Sequence, residues 1–262
     1  LSLASGVSAR FDRISDVYDE TREPLSEEAL DRVAEIFRRD GIKRIIEAGV
    51  GTGRVAIPLQ KRGFDIAGLD LSAGMLSKAR SKGADNLVRG DANNPPFRNR
   101  AFDAALLAHV LHLVEDPFMT FERLSACAKN EVVVLLARPL RNRESTPVER
   151  EEIFKVFREA ASELGIDGEK RWAARRERFV KQYEFLDRHP PSETITVQEV
   201  DGTRTLREYL SWYEKRAFGF ADDFPEDELS RVIERVKQTV DLDKVVPYHR
   251  VAQMLIWRMA KE

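Results

Sequence analysis

The stretch "IIEAGVGTGR", residues 45–54, decides how this chain is read. Three glycines alternate at Gly49, Gly51 and Gly53, behind the apolar pair Ile45 and Ile46 and ahead of the helical spacing that starts at Arg54. That order predicts a strand, a tight loop and a helix. Glycines at such a turn permit positive φ and bring backbone amides close to a ligand. The helix start adds unpaired N–H groups and the positive end of a dipole. A dinucleotide fingerprint needs G-x-G-x-x-G, its third glycine admitting close helix packing. Here the spacing is G-x-G-x-G, and Arg54 stands where that third glycine would be. The lysine of a phosphate-binding loop is missing as well.

Outward from the loop, apolar runs alternate with helical patterns between residues 44 and 137, which is the sign of βαβ units and a parallel sheet. Strands are expected at 44–48, 65–70, 86–91, 103–109 and 131–137, with helices at 54–62, 72–82 and 117–129. Ser72 is placed to cap the second of these helices, and Pro117 fits the first turn of the third. Two N-terminal helices are read from the apolar faces Phe11, Ile14, Val17, Tyr18 and Leu30, Val33, Ala34, Phe37. Beyond residue 138 the text turns rich in Arg and Glu with helical spacing, and strands return at 194–200 and 248–260. The fold class that follows is α/β: a doubly wound, seven-stranded, mostly parallel sheet with N-terminal helices and a helical insertion. The whole of 1–262 is read as one domain, with a leader over 1–40, a core over 41–138, an insertion over 139–192 and closing strands and helices over 193–262.

Composition narrows the class. A hydrophobic content of 42% with 34% charged residues suits a globular chain with a highly charged surface, and no apolar run nears the roughly 18 residues of a membrane span. The net charge of −2 argues against wholesale binding of polyanions. A single cysteine, Cys127, makes no internal disulfide, and no signal-peptide pattern is visible; a reducing, cytoplasmic setting is the expectation. No metal site is read from the sequence.

Four features in order carry a family likeness: Glu47 to Gly53, Asp70 ending the second strand, Asp91–Ala92 ending the third, and "FDAALLAHVLHLVEDP" (102–117) around the fourth. With the leader "FDRISDVYDETR" (11–22), they resemble the class I S-adenosylmethionine-dependent methyltransferases, above all the UbiE-like small-molecule type. The likeness covers residues 40–137 and weakens through 140–190. It implies a Rossmann-like methyltransferase fold and S-adenosyl-L-methionine as cofactor. Asp70 would accept hydrogen bonds from the two ribose hydroxyls and Asp91 from the adenine amine, with Ala92, Leu71 and Met75 around the ring. Glu47 and the loop of Gly49, Gly51 and Gly53 would face the methionine end, with Tyr18 and Arg22 closing over it and Arg22 pairing with the carboxylate.

Methyl transfer from a sulfonium is an in-line displacement, so alignment and exclusion of water are the protein's main tasks. His109, at the carboxyl end of the fourth strand, is the candidate base or orienting group, with its ordinary pKa of about 6.5 as the reference. The implied partner is a small-molecule acceptor of unknown identity, with Arg138, Arg141 and Arg143 as candidates for an anionic group on it. Nucleic acid is disfavoured as a partner, and the oligomeric state is open. Three rivals stand beside this reading: a tRNA or other RNA methyltransferase, suggested by "EKRWAARRERFVK" (169–181); a non-catalytic adenosylmethionine-binding protein; and an NAD-dependent oxidoreductase.

Overall fold

A computed structural model describes residues 3–136, 148–167, 169–216, 221 and 224–259. Arg138, Arg141 and Arg143 lie outside the described residues. The elements run α1 (Leu3–Ile14), α2 (Glu27–Arg39), β1 (Arg44–Ala48), α3 (Ala56–Lys61), β2 (Asp65–Asp70), α4 (Ala73–Ser81), β3 (Leu87–Arg89), β4 (Phe102–Ala108), α5 (Pro117–Cys127) and β5 (Ala128–Leu136). They continue with α6 (Val148–Glu163), α7 (Glu169–Arg188), β6 (Glu193–Thr205), α8 (Leu206–Glu214), α9 (Glu226–Thr239) and β7 (Val245–Arg258).

The seven strands form one sheet in the order β3-β2-β1-β4-β5-β7-β6. β1 pairs in parallel with β2 and β4, β2 with β3 and β4 with β5, while β7 runs antiparallel to β5. The order turns between β1 and β4. In open α/β sheets that switch point leaves a crevice at the carboxyl ends of the strands, and both the glycine loop and His109 emerge there. Strands buried on both faces need continuous apolar runs; Ile45, Ile46, Leu106, Leu107 and Val132 to Val134 are all fully buried.

Local chemistry sets the helix starts. The Ser72 hydroxyl accepts the Met75 N–H at 3.1 Å, Ser26 caps α2 through the Ala29 N–H, and Asp116 caps α5 with Pro117 following at the first position. α3 opens at Ala56, two residues later than the spacing suggests, and Pro58 lies in its first turn where no intrahelical N–H is lost. The leader is less helical than its apolar spacing predicts. α1 ends at Ile14, and Val17 and Tyr18 belong to a turn that leads into one 3-10 turn at Asp19–Thr21, where the Thr21 hydroxyl donates to the Tyr18 carbonyl at 2.9 Å.

The chain divides into two compact units. The first comprises residues 1–138, 178–198 and 251–262, and the second 139–177 and 199–250. The first unit's core joins the α2 face of Val33, Ala34 and Phe37 to the sheet residues Ile45, Ile66, Leu106, Val133 and Ile256. The second unit has its own core, in which Ile153 and Phe157 meet Tyr209, Tyr213, Val232 and Ile233. Phe157 and Tyr213 are buried in that core, their rings 5.1 Å apart. Among the described residues no helix is long and apolar enough to cross a membrane.

Candidate active site

The glycine loop takes the conformation its sequence demands. Gly49, Gly51 and Gly53 have φ of 73°, 55° and 78°, in the left-handed region that a Cβ disfavours. At Gly49 a Cβ would also collide with Val110 at 2.3 Å, whereas beside Gly51 nothing lies within 4 Å. Four of the loop's amides are already engaged within the protein. The N–H groups of Gly49 and Val50 donate to the Leu69 carbonyl, that of Gly51 to Asp70 Oδ2 at 2.8 Å, and that of Gly53 to the Val50 carbonyl. At the start of α3 the Ala56 N–H is taken by the Glu47 carboxyl. Two carboxyl groups of the protein thus hold the Gly51 and Ala56 amides, donors that a phosphate at this turn would use.

Those two acids are unusual. Glu47 is 2% exposed, and burial together with the nearby Asp70 carboxylate pushes its pKa to about 8. Its Oε2 has no hydrogen-bond partner among the described residues. Burial also raises the Asp70 pKa, against the pull of the backbone N–H groups of Ser72, Gly51 and Leu71. Each Asp70 oxygen accepts one of these bonds, from Ser72 at 2.9 Å and Gly51 at 2.8 Å, and a carboxylate oxygen has capacity for a second.

At this edge a cavity is lined by Tyr18, Gly49, Gly51, Asp70, Leu71, Met75, Asp91, Ala92 and His109, all of them site candidates in the sequence. Arg22, Glu47 and Gly53 do not line it. Glu47 lies beneath the loop. Gly53 makes room for Ile57, whose Cδ1 would be 2.8 Å from an added Cβ. Arg22 sits with its guanidinium 5.2 Å from the centre of the Tyr18 ring and donates to the Thr21 carbonyl. Asp91 is held at the far wall by Asn93, whose backbone and side-chain N–H groups both reach Asp91 Oδ1.

His109 leaves β4 with φ of 60°, a strained conformation for a residue with a Cβ, while its N–H still donates to the Leu135 carbonyl at 3.0 Å. Burial, followed by the positive charges of Arg54 and Arg22, lowers its pKa to about 4. The ring is neutral through the physiological range, not poised near 6.5 as its ordinary chemistry suggests. Sequence reading passed over several further lining residues: Val7, Ser8 and Phe11 from the leader, Val110, Leu113, Val114 and Glu115 after β4, and Lys181 from α7. The apolar spacing of the leader already marks Phe11; nothing in the sequence singles out Lys181. Of the remaining histidines, His112 stacks on Phe179 with ring centres 4.9 Å apart, and His189 stacks on Phe185. Among the described residues no group of three or more His, Cys, Asp and Glu is arranged to hold a metal ion.

Comparison with known proteins adds the following. Residues 46–136 match the family model described as "Methyltransferase domain". A demethylmenaquinone methyltransferase of Renibacterium salmoninarum is 31% identical over 116 residues, covering 42% of this chain and 49% of the relative. One from Thermotoga maritima is 35% identical over 105 residues, covering 37% of this chain and 46% of the relative. The chain thus spans about half the length of the curated relatives it matches. Among solved structures, the YcgJ protein of Bacillus subtilis superposes with a TM-score of 0.52 at 15% identity, over 90% of this chain and 100% of that one, a likeness of fold.

Proposed function

From a chain whose residues 46–136 are a class I S-adenosylmethionine-dependent methyltransferase domain, we propose that the protein transfers a methyl group from S-adenosyl-L-methionine to a small-molecule acceptor. The observation that carries this reading is the pair of carboxyls at the loop, Glu47 buried and Asp70 half-buried. Glu47 and Asp70 occupy the helix-start and loop amides, so the edge rejects a pyrophosphate and suits a ligand with hydroxyls and positive charge. The residues present fit adenosylmethionine: Asp70 retains acceptor capacity for vicinal hydroxyls, Asp91 faces the same cavity, and the space beside Gly51 has no side chain in it.

When bound, that cofactor supplies a methyl group activated by a sulfonium. The chain's own residues would do the rest. Asp70 and Asp91 fix the nucleoside at two points, with Leu71 and Met75 as apolar walls. Phe11, Val110, Leu113 and Val114 exclude water, which strengthens every electrostatic contact in the site. His109, neutral above a pH of about 4, accepts a hydrogen bond from the nucleophile and aims it; alignment of this kind is the main catalytic device open to an in-line displacement.

The relatives act on demethylmenaquinone by name, but they match less than half of this chain, so the acceptor is argued from the cavity. The apolar walls of Phe11, Val110, Leu113 and Val114 suit an acceptor with an apolar body. Cys127 is buried and free, and we place the enzyme in the cytoplasm. The test is incubation of the protein with methyl-labelled adenosylmethionine, a small-molecule extract and, separately, tRNA. Label in a small organic product supports the reading. Label only in RNA, or none in either, contradicts it.

A further inference from the structure

The leader touches the nucleoside end of the cavity in two ways. Val7, Ser8, Phe11 and Tyr18 line it. Asp12 and Asp19 do not; they reach past it to the elements that build it. Asp12 Oδ1 accepts the Ser72 hydroxyl at 2.6 Å and the Gly74 N–H at 2.8 Å. Asp19 accepts the Thr52 hydroxyl at 2.6 Å and forms an ion pair with Lys82 at 2.7 Å. Between them Asp16 pairs with Lys78 at 2.8 Å. Three acids at positions 12, 16 and 19 therefore run along the first turn and the lysine face of α4.

The two hydroxyls they hold are not peripheral. Ser72 donates its N–H to Asp70 and accepts the Met75 N–H as the cap of α4, so it links Asp12 to the carboxylate expected at the ribose. Thr52 is 1% exposed in the middle of the glycine loop, and its hydroxyl donates to Asp19 Oδ1. Close packing supports the same dock. A Cβ on Gly74 would lie 3.0 Å from Ser15 Oγ and 3.2 Å from the Asp12 Cα, so only glycine lets the leader lie this close to α4. Ser8 adds a hydrogen bond to the Leu71 carbonyl at 3.1 Å.

We propose that Asp12 and Asp19 are positioning residues of the adenosine site, which hold Ser72 and Thr52, and through them Asp70 and the glycine loop, in the ligand-binding geometry without touching the ligand. This deepens the proposed function and rests on its reading of the cavity as the adenosylmethionine site. Because coupling between two sites is reciprocal, a bound adenosine ligand in turn tightens the leader against α4. Both acids have pKa values held below the ordinary carboxylate range by their partners in the dock, which fits charge-assisted bonds that are made.

The experiment compares wild type, Asp12→Ala/Asp19→Ala and Asp12→Asn/Asp19→Asn in calorimetric binding of adenosylhomocysteine, in its release rate, and in amide hydrogen exchange without ligand. The alanine pair is expected to weaken binding about fivefold to tenfold, the low end of measured couplings between sites, and to speed release. It should also speed exchange over 49–54 and 70–76 while amides of β1 and β4 stay protected. The asparagine pair keeps one acceptor oxygen at each position, for Ser72 and Gly74 at residue 12 and for Thr52 at residue 19, but loses the Lys82 ion pair, and should recover part of the affinity. If the alanine pair does not fold, Lys82→Met loosens the Asp19 side alone and should raise Kd and the release rate in the same direction. A folded alanine pair, or Lys82→Met in its place, with wild-type Kd and release overturns the proposal and leaves the cofactor reading standing. Wild type that binds no adenosylhomocysteine overturns both.

Discussion

The first unit's sheet carries buried carboxyl groups toward both edges, compensated in different ways. Toward the amino edge, Glu131 is 1% exposed and lies near a network in which Arg39 and Arg258 each bridge Asp40 and Glu193, at distances from 2.6 to 3.2 Å. At the carboxyl edge Glu47 and Asp70 are held by backbone N–H groups, and one Glu47 oxygen has no partner among the described residues. A ring of guanidinium and carboxylate groups closes on itself and asks for no ligand. A carboxyl held by fixed amides keeps lone pairs to spare, and Asp70, which lines the cavity, keeps them where an incoming hydroxyl would complete them. Each edge leaves one buried carboxyl oxygen without a partner among the described residues, Glu131 Oε1 at the first and Glu47 Oε2 at the second, and what leaves the second unfinished is the open cavity beside Asp70.

Asp70→Ala should give the largest effect. Loss of a charged acceptor for two hydroxyls, with the loop's Gly51 anchor gone as well, is expected to cost about 3 kcal/mol of adenosylhomocysteine affinity, measured by calorimetry. Glu193→Gln at the other edge should leave that affinity unchanged. Equal losses from the two variants would break the comparison.

His109→Asn is expected to lower kcat by roughly tenfold to a hundredfold, with cofactor affinity kept. Because burial and the nearby Arg54 and Arg22 charges lower the ring's pKa to about 4, the wild-type rate should show no His109 limb near the ordinary value of about 6.5. A limb there that disappears in the variant would make His109 a titrating base instead of an orienting acceptor.

Glu47→Gln tests the unfinished edge through stability. The folded-state pKa of Glu47 is raised from 4.5 to about 8, so its favourable contribution is complete below the unfolded value and is lost as pH rises through the folded one. Urea denaturation between pH 5 and pH 8 should show a decline in wild type that the variant reduces by about 1 kcal/mol or more. Identical slopes would mean that Glu47 ionises freely. Smallest of all, Arg258→Met should cost about 0.5–1 kcal/mol, less in high salt, because its side chain is 41% exposed and its pairs are screened.

Much of this was legible in the sequence because it depends on local chemistry. Glycine spacing gives the loop, Ser72 and Pro117 announce helix starts, and alternating apolar runs give the strands up to β5. The seven-stranded, mostly parallel sheet emerges as expected. Partnerships between distant segments were not legible. That the Gly51 amide is taken by Asp70, or that Glu47 takes the Ala56 amide, follows from the approach of β2 to β1 and not from any spacing. Reading the leader by its apolar residues found Phe11 and Tyr18 and passed over Asp12 and Asp19, which lie on its polar side and look like solvated charge. The lowered pKa of His109 likewise comes from burial in the assembled fold and then from neighbours far along the chain, Arg54 and Arg22.

The central claim is that the carboxyl edge is built for an adenosine ligand without phosphate, because protein carboxyls already occupy the Gly51 and Ala56 amides. Parallel calorimetric titrations with adenosylhomocysteine and with NAD, at one pH and salt concentration, test it most directly. The account predicts micromolar binding of adenosylhomocysteine and no measurable binding of NAD. NAD bound as tightly as adenosylhomocysteine, or more tightly, would contradict it.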